Sequence, residues 1–185
     1  MVDTIRHLSF DEIDPDLQTA LGPTVDRLGY FGEMFQVLAH VPKGLQTFMQ
    51  YTGAVKDPLP FNLNEVCALT VCTDLGADYE RIQHERLALK TGMSREWIGE
   101  LTGAMAPSVS SLSDDEKAVR DLARAVAARG GRDCAAELSA VAARIGDVQA
   151  VAAVLQITRF MTISALVHTF EATLPVPSIF DAAAE

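Results

Sequence analysis

Residues 62–92, "NLNEVCALTVCTDLGADYERIQHERLALKTG", contain two helical patterns separated by one glycine. Asn62 and Glu65 have the spacing of a helix N-cap and its N3 partner, which predicts a first helix from Leu63 to Leu75. Gly76 interrupts the pattern, and the second helix continues almost to the end of the stretch. An antiparallel pair of helices joined by a tight turn is therefore expected here.

The second helix carries a possible acid–base pair. Glu80 and His84 are four residues apart, so their side chains share one helical face. An imidazole next to a carboxylate can move protons near neutral pH. If the two helices are antiparallel, Glu65 approaches His84 as well. The same residues also fit structural roles, with Glu65 as a capping partner and the other two as a solvated pair.

Capping residues, glycines and prolines predict further helices on both sides of this stretch, and no segment alternates as a half-buried strand does. The sequence therefore predicts a single all-α domain, a bundle of about eight to ten helices. The other predicted segments are Pro15 to Gly22 with Asp14 as its cap, Phe31 to Ala39, Pro42 to about Val55, a short helix capped by Ser94, a helix from Ser113 to about Arg129, Cys134 to Ile145, and Val148 to Ala172.

The charge of the chain argues against nucleic acid as a partner. The formal net charge is −10 at pH 7, no local cluster of Lys and Arg stands out, and a polyphosphate would be repelled. The most apolar segment, Val148 to Phe170, is interrupted by polar residues, so we expect a buried helix and no membrane span. The N-terminus does not resemble a signal peptide, which predicts a cytoplasmic protein.

The remaining candidate ligands do not form a known site. Cys67, Cys72 and Cys134 have no Cys-x-x-Cys spacing, so buried free thiols are expected rather than a disulfide framework or a zinc site. His40 and His168 lack a second ligand at metal spacing. We therefore expect no metal.

The order of Glu65, Ala77, Glu80 and His84, followed by "ALKTGMS", resembles the carboxymuconolactone decarboxylase and alkylhydroperoxidase D-like superfamily. In the peroxidase branch of that superfamily, the positions matched by Ala77 and Glu80 are both cysteine, and a Glu and a His relay protons to them. Only Glu65 and His84 carry over.

The resemblance extends upstream to "FQVLAHVPKGLQTFMQY" and downstream to "LSDDEKAVRDLARAV", and covers roughly residues 35–170. It implies an alkylhydroperoxidase D-like helical bundle in which residues 1–30 are an N-terminal extension. It also implies a homo-oligomer, as a dimer, trimer or hexamer, with no bound cofactor.

The lack of cysteine at positions 77 and 80 argues against a dithiol peroxidase. Dithiol peroxide reduction needs two sulfur atoms within disulfide reach, and the matched positions carry none. We expect a carboxymuconolactone decarboxylase-like enzyme that acts on a small organic acid or lactone, with His84 as proton donor or acceptor oriented by Glu65 and Glu80. The candidate substrate-binding residues are Tyr79, Arg159 and Arg81. The two arginines are possible anchors for an anion, and Arg159 also fits a salt bridge or an interface contact. Tyr79 fits better as a packing residue with its hydroxyl at the surface.

Two other functions fit the same residues. One is a peroxidase relative that acts through a single unusual cysteine. The other is a member that has lost its chemistry and serves as an oligomeric binding module. Cys67 and Cys72 are five residues apart, about 140° around a helix axis, and are poorly placed to bridge each other.

Overall fold

The computed structural model describes residues 5–181, and this part of the chain forms nine helices and no strand. The all-α prediction is therefore confirmed. The helices are α1 (Pro15–Leu28), α2 (Glu33–Leu38), α3 (Pro42–Lys56), α4 (Phe61–Asp74), α5 (Asp78–Lys90), α6 (Arg95–Thr102), α7 (Asp114–Arg129), α8 (Ala135–Ile145) and α9 (Asp147–Thr169).

Helix α4 is the central element of the bundle. Every residue from 63 to 72 is buried, so the helix is enclosed on all sides. It packs against α5, α6, α7 and α9. A helix that is apolar all round has no solvent face and must be covered by its neighbours. The polar side chains that α4 carries are consequently placed inside the protein.

Helix α9 is the second core helix. It is long and apolar enough to cross a membrane by length and composition, but 56% of its most apolar window is buried inside the bundle. It packs against α3, α4, α7 and α8. The expected buried helix is therefore present, and these contacts cover the side of α9 that faces the bundle.

The first helix differs from its prediction. We expected it to stop at Gly22, but it continues through Pro23 and ends at Leu28, where Gly29 caps it in the left-handed conformation with φ 81°. Leu17 and Leu21 are fully enclosed against α2 and α3. The apolar stripe continues at helical spacing beyond the glycine, and its burial outweighs the cost of the Gly–Pro pair.

The start of α4 also corrects the sequence interpretation. Asn62 does not cap this helix, because the helix begins at Phe61 and Pro60 occupies the N-cap position. The Asn62 amide instead donates a 2.8 Å hydrogen bond to Glu116 Oε1, which also accepts one of 3.2 Å from the Trp97 indole. Glu116 completes the predicted capping box with Ser113 at the start of α7. Glu65 therefore does not act as a capping partner of Asn62.

Candidate active site

Helices α4 and α5 form the predicted antiparallel pair. The turn between them contains Gly76 with φ 68°, a left-handed conformation that glycine adopts without strain. The amide of Ala77 donates a 2.8 Å hydrogen bond to the Cys72 carbonyl, which closes the end of α4. The first turns of α4 are thereby brought next to the middle of α5.

This arrangement places Glu65 and His84 in contact. The distance between His84 Nδ1 and Glu65 Oε2 is 2.8 Å. Glu65 is buried, and 16% of the His84 side chain remains exposed. An ionised Glu65 accepts a hydrogen bond from Nδ1–H, which fixes the ring and leaves Nε2 free to take up or release a proton.

Glu80 lies on the other side of the imidazole. Its Oε2 is 3.6 Å from His84 Nε2. Burial raises the pKa of the Glu80 carboxyl, while attraction to His84 and Arg159 acts in the opposite direction. The ring of Phe160 contacts the His84 ring edge-on, with centroids 5.0 Å apart. The imidazole thus lies between the carboxyl groups of Glu65 and Glu80, of which Glu80 has a raised pKa, and it packs against an aromatic wall.

Arg159 brings a positive charge to the same place. Its Nε donates a 3.0 Å hydrogen bond to Thr52 Oγ1, and its guanidinium carbon lies 4.4 Å from the centroid of the Phe160 ring. Burial lowers the pKa of Arg159, although a guanidinium remains charged at any pH near neutrality. Within residues 5–181, no carboxylate lies within ion-pair distance of it. Arg159 is therefore available to hold an anion.

A chain of amide groups positions Arg159. Its NH1 group donates to Gln156 Oε1 at 3.3 Å, Gln156 Nε2 donates to Asn64 Oδ1 at 2.6 Å, and Asn64 Nδ2 donates to the Leu59 carbonyl at 3.0 Å. We did not predict roles for Gln156 and Asn64. The signal that could have found them is the presence of amides within largely apolar helices that the sequence places in the core, since buried amides require partners.

These groups line a cavity of about 390 Å³ with walls from α1 to α5 and α9. Tyr79 also lines it, and its hydroxyl is not at the surface as a packing role would place it. The residue is buried, and a Cβ built on Gly32 would lie 2.5 Å from the hydroxyl oxygen. Burial raises the pKa of Tyr79 well above its ordinary value. The cavity thus brings together Glu65, Glu80, His84, Arg159 and Tyr79.

Arg81 does not join this group. Its guanidinium binds Asp78, at 2.9 Å, and the buried Glu85. Glu85 also accepts a 2.5 Å hydrogen bond from Ser178 Oγ in the segment that follows α9. Arg81 therefore neutralises a buried carboxylate outside the cavity, and its role is structural.

The three cysteines are free and buried. Burial raises the pKa of the Cys67 thiol to about 12 and that of Cys72 well above its ordinary value. Neither thiol is suited to form the thiolate that attacks a peroxide. Among the described residues, no group of three or more His, Cys, Asp or Glu side chains is arranged to hold a metal ion.

Comparison with known proteins supports the resemblance seen in the sequence. Residues 41–125, which include Glu65, Ala77, Glu80 and His84, match the model of the carboxymuconolactone decarboxylase family. A comparison with curated proteins gives no match.

Solved structures share the fold at low sequence identity. The debrominase Bmp8, with a cysteine replaced by alanine and in complex with 2,3,4-tribromopyrrole, is 14% identical with a TM-score of 0.80, covering 100% of this chain and 95% of its own. The alkylhydroperoxidase AhpD core of an uncharacterized peroxidase-related protein from Ralstonia eutropha JMP134 is 14% identical with a TM-score of 0.79, covering 95% and 92%.

A protein of unknown function from Agrobacterium tumefaciens, suggested to be an antioxidant defence protein AhpD, is 18% identical with a TM-score of 0.63. The match covers 74% of this chain and 93% of that one. The solved structures show that the chain has their all-α fold, and the family match over residues 41–125 supports the resemblance to the carboxymuconolactone decarboxylase and alkylhydroperoxidase D-like superfamily.

Proposed function

We propose that this protein is a cofactor-free enzyme that performs acid–base chemistry on a small organic acid or lactone, in the manner of a decarboxylase. The observation that carries the proposal is the 2.8 Å contact between Glu65 and His84 at the wall of a cavity that also contains the buried cation Arg159. A base, its orienting carboxylate and an anion anchor then face one enclosed volume.

Each group has a role in such a reaction. Arg159 binds the substrate anion and stabilises negative charge that develops on an enolate oxygen. When the carbon–carbon bond to the departing carboxylate breaks, the electron pair stays on the substrate and carbon dioxide leaves. His84 Nε2 then delivers a proton to the carbanionic carbon, and Glu65 stabilises the imidazolium form that supplies it. Glu80, whose pKa is raised by burial, is a second group that can exchange a proton beside the ring.

The size and the lining of the cavity agree with a small substrate. A volume of about 390 Å³ lies near the lower end of the range for small-molecule sites. Phe160 and Tyr79 offer flat apolar surfaces for a ring. The debrominase that shares this fold was crystallised with 2,3,4-tribromopyrrole, itself a small ring compound. At 14% identity the likeness concerns the fold, so the ring-binding argument depends on the residues of this cavity.

The two alternatives are less well supported. A peroxidase acting through one cysteine needs an accessible thiol of low pKa, whereas Cys67 and Cys72 are fully enclosed with raised pKa values. A binding module without chemistry has no need for a carboxylate held 2.8 Å from an imidazole. The experiment below separates this second alternative from catalysis.

The test is proton exchange in deuterated water. A panel of lactone carboxylates, β-keto acids and related small acids is incubated with the protein, and incorporation of deuterium and loss of carbon dioxide are followed by NMR. We expect His84→Gln to reduce the rate at least 100-fold, the usual contribution of general acid–base catalysis. His168→Gln is the matched control, because this histidine contacts the Gly76 carbonyl on the outer surface and does not line the cavity.

The expected result is exchange or decarboxylation with at least one compound class, abolished by His84→Gln and unchanged by His168→Gln. Binding of a panel compound that His84→Gln leaves intact, with no exchange by the unaltered protein, would instead show a binding module. Equal loss of rate in both variants would also contradict the proposal.

A further inference from the structure

A second concave surface adjoins the candidate active site. It is a cleft of about 880 Å³ lined by α1, by the second half of α5, by the start of α6 and by the segment that follows α9. The cleft and the cavity share four lining residues, which are Arg27, Leu28, Gln83 and Leu87. The two hollows are therefore neighbours across one ridge of the protein.

Helix α5 separates the two hollows, and different rows of its side chains line each of them. Glu80 and His84 are one helical turn apart and line the cavity, whereas Arg86 and Lys90 are one turn apart and line the cleft. Gln83 lies between the two rows and borders both hollows. A ligand that occupies both would cross α5 at this residue.

The cleft is strongly cationic in a chain that is strongly anionic. Arg27, Arg86, Lys90 and Arg95 line it, and in the described part of the chain no acidic residue is among its lining residues. The whole chain has a formal net charge of −10. Four cationic side chains from three helices therefore line one cleft, and no carboxylate among the described lining residues neutralises their charge.

The bonds that these cations make do not account for their charge. Arg86 donates to the Pro177 carbonyl at 3.3 Å, and Arg95 donates to the Ile179 carbonyl. Both acceptors are neutral, and each guanidinium has five N–H groups, so most of its donors remain for a ligand. Lys90 and Arg27 lie in the last turns of their helices, where the helix dipole favours a cation by only tenths of a kcal/mol.

A buried polar atom in the same wall also lacks a partner. Tyr30 lines the cleft, and its enclosed hydroxyl has no hydrogen-bond partner among the described residues. A buried hydroxyl without a partner is costly.

We propose that this cleft binds a second, remote anionic group of the substrate, a carboxylate or a phosphate, while the reacting end of the same molecule lies beside His84. The inference rests on the proposed function, and it narrows the substrate to an elongated small molecule with negative charge at the end away from the reacting carbon. Arginine forks match the geometry of both anions.

The test uses citrate as a carboxylate probe and inorganic pyrophosphate as a phosphate probe, with binding measured by calorimetry on the full chain. Arg27→Gln/Lys90→Gln is the test variant, because the described structure assigns these two side chains no hydrogen bond that a substitution would break. Lys43→Gln/Arg132→Gln is the control, since it removes the same two residue types and the same charge at exposed positions outside the cleft.

We expect the test variant to weaken binding of at least one probe about tenfold, which corresponds to roughly 1.4 kcal/mol, and the control to weaken it less than twofold. The probe that responds identifies the carboxylate or the phosphate as the preferred group. Equal weakening in both variants, or no binding of either probe, would overturn the proposal.

The two proposals can fail separately. His84→Gln should leave probe binding unchanged, because His84 lines the cavity and not the cleft. Probe binding that depends on Arg27 and Lys90, without any proton exchange, would keep the anion site and reject the enzyme. Exchange activity, together with probe binding that does not change when Arg27 and Lys90 are replaced, would keep the enzyme and reject the anion site.

Discussion

Glu80 is a buried carboxyl group whose surroundings disfavour its charged form. It is buried next to a second carboxyl group, Glu65, which itself opposes ionisation of Glu80. His84 and Arg159 attract the ionised form, but the cost of burial is larger and the pKa of Glu80 is raised. Neutral Glu80 can donate a proton, whereas ionised Glu80 can only accept one.

This environment predicts how stability depends on pH. Since the folded pKa of Glu80 lies above its ordinary value of 4.5, the folded protein holds a proton that the unfolded chain releases, and stability falls as pH rises from 4.5 through the folded pKa. Glu80→Gln removes this loss. We expect the variant to be more stable by about 1 kcal/mol at pH 7.5 and nearly unchanged at pH 4.

Urea unfolding followed by circular dichroism at both pH values measures the difference. Glu96→Gln is the control: its exposed carboxylate lies in the first turn of α6, where the helix dipole favours it, so this variant should not be more stable at pH 7.5. A Glu80→Gln variant that is less stable at pH 7.5 would mean that the ionised carboxylate stabilises the fold.

Sequence spacing was enough to predict part of the site and not the rest. The four-residue interval between Glu80 and His84 fixes their shared face, and the glycine between two helices brings Glu65 to the imidazole. Arg81 has the same charge as Arg159 and is next to Glu80, yet it binds Glu85 outside the cavity. Only the three-dimensional packing shows that Arg81 binds a buried acid, whereas Arg159 has no carboxylate within ion-pair distance among the described residues.

Among the elements, the turn between α4 and α5 joins the two helices that carry Glu65 and His84. Gly76 adopts φ 68°, and a Cβ added there would meet nothing within 4 Å. A side chain at this position would therefore cause backbone strain without a steric clash. The contact between Glu65 and His84 depends on the same turn, because the residues lie on opposite sides of it in sequence.

Gly76→Ala should destabilise the protein by roughly 1–2 kcal/mol, which is the cost of the left-handed conformation for a residue with a Cβ. Gly53→Ala is the matched control, since Gly53 lies inside α3, also has open space around it, and should gain roughly 0.5–1 kcal/mol from better helix propensity. Thermal unfolding of both variants gives the comparison. A neutral or stabilising effect of Gly76→Ala would contradict the assigned conformation.

Local patterns misjudged elements where tertiary contacts compete with them. The Gly22–Pro23 pair is a strong local stop signal, but burial of Leu21 keeps α1 helical beyond it. Asn62 has good capping spacing, but Glu116 from α7 offers its amide a partner that the local sequence does not contain. The cations of the cleft were likewise missed, because they come from three helices and form no cluster along the chain.

At the scale of the whole molecule, α9 leaves an apolar stripe uncovered. Val148 and Val151 are 73% and 57% exposed, and Leu155 continues the stripe one turn further along. Contiguous exposed apolar surface of this kind is typical of subunit interfaces. It agrees with the homo-oligomer that the resemblance to the superfamily implies.

We expect the protein to elute as a multiple of its 20.0 kDa mass, and Val151→Glu to shift it towards the monomer by placing a charge in the interface. Val109→Glu is the control, because Val109 is 81% exposed in the loop before α7 and is not part of the stripe. Size-exclusion chromatography with light scattering measures the masses. An unaltered protein that is already monomeric, or an equal response of both variants, would exclude this interface.

Trp97, whose indole donates a hydrogen bond to Glu116, is an intrinsic fluorescent probe of this protein. Trp97 is the single tryptophan of the chain and is buried at the corner where α6 meets α7. Its fluorescence therefore comes from one defined place, which does not line the cavity, and should shift to the red only when that corner opens to water. Ligand titrations and unfolding curves can be recorded without any attached dye, and a signal that changes on ligand binding would show that binding in the cavity alters the surroundings of Trp97.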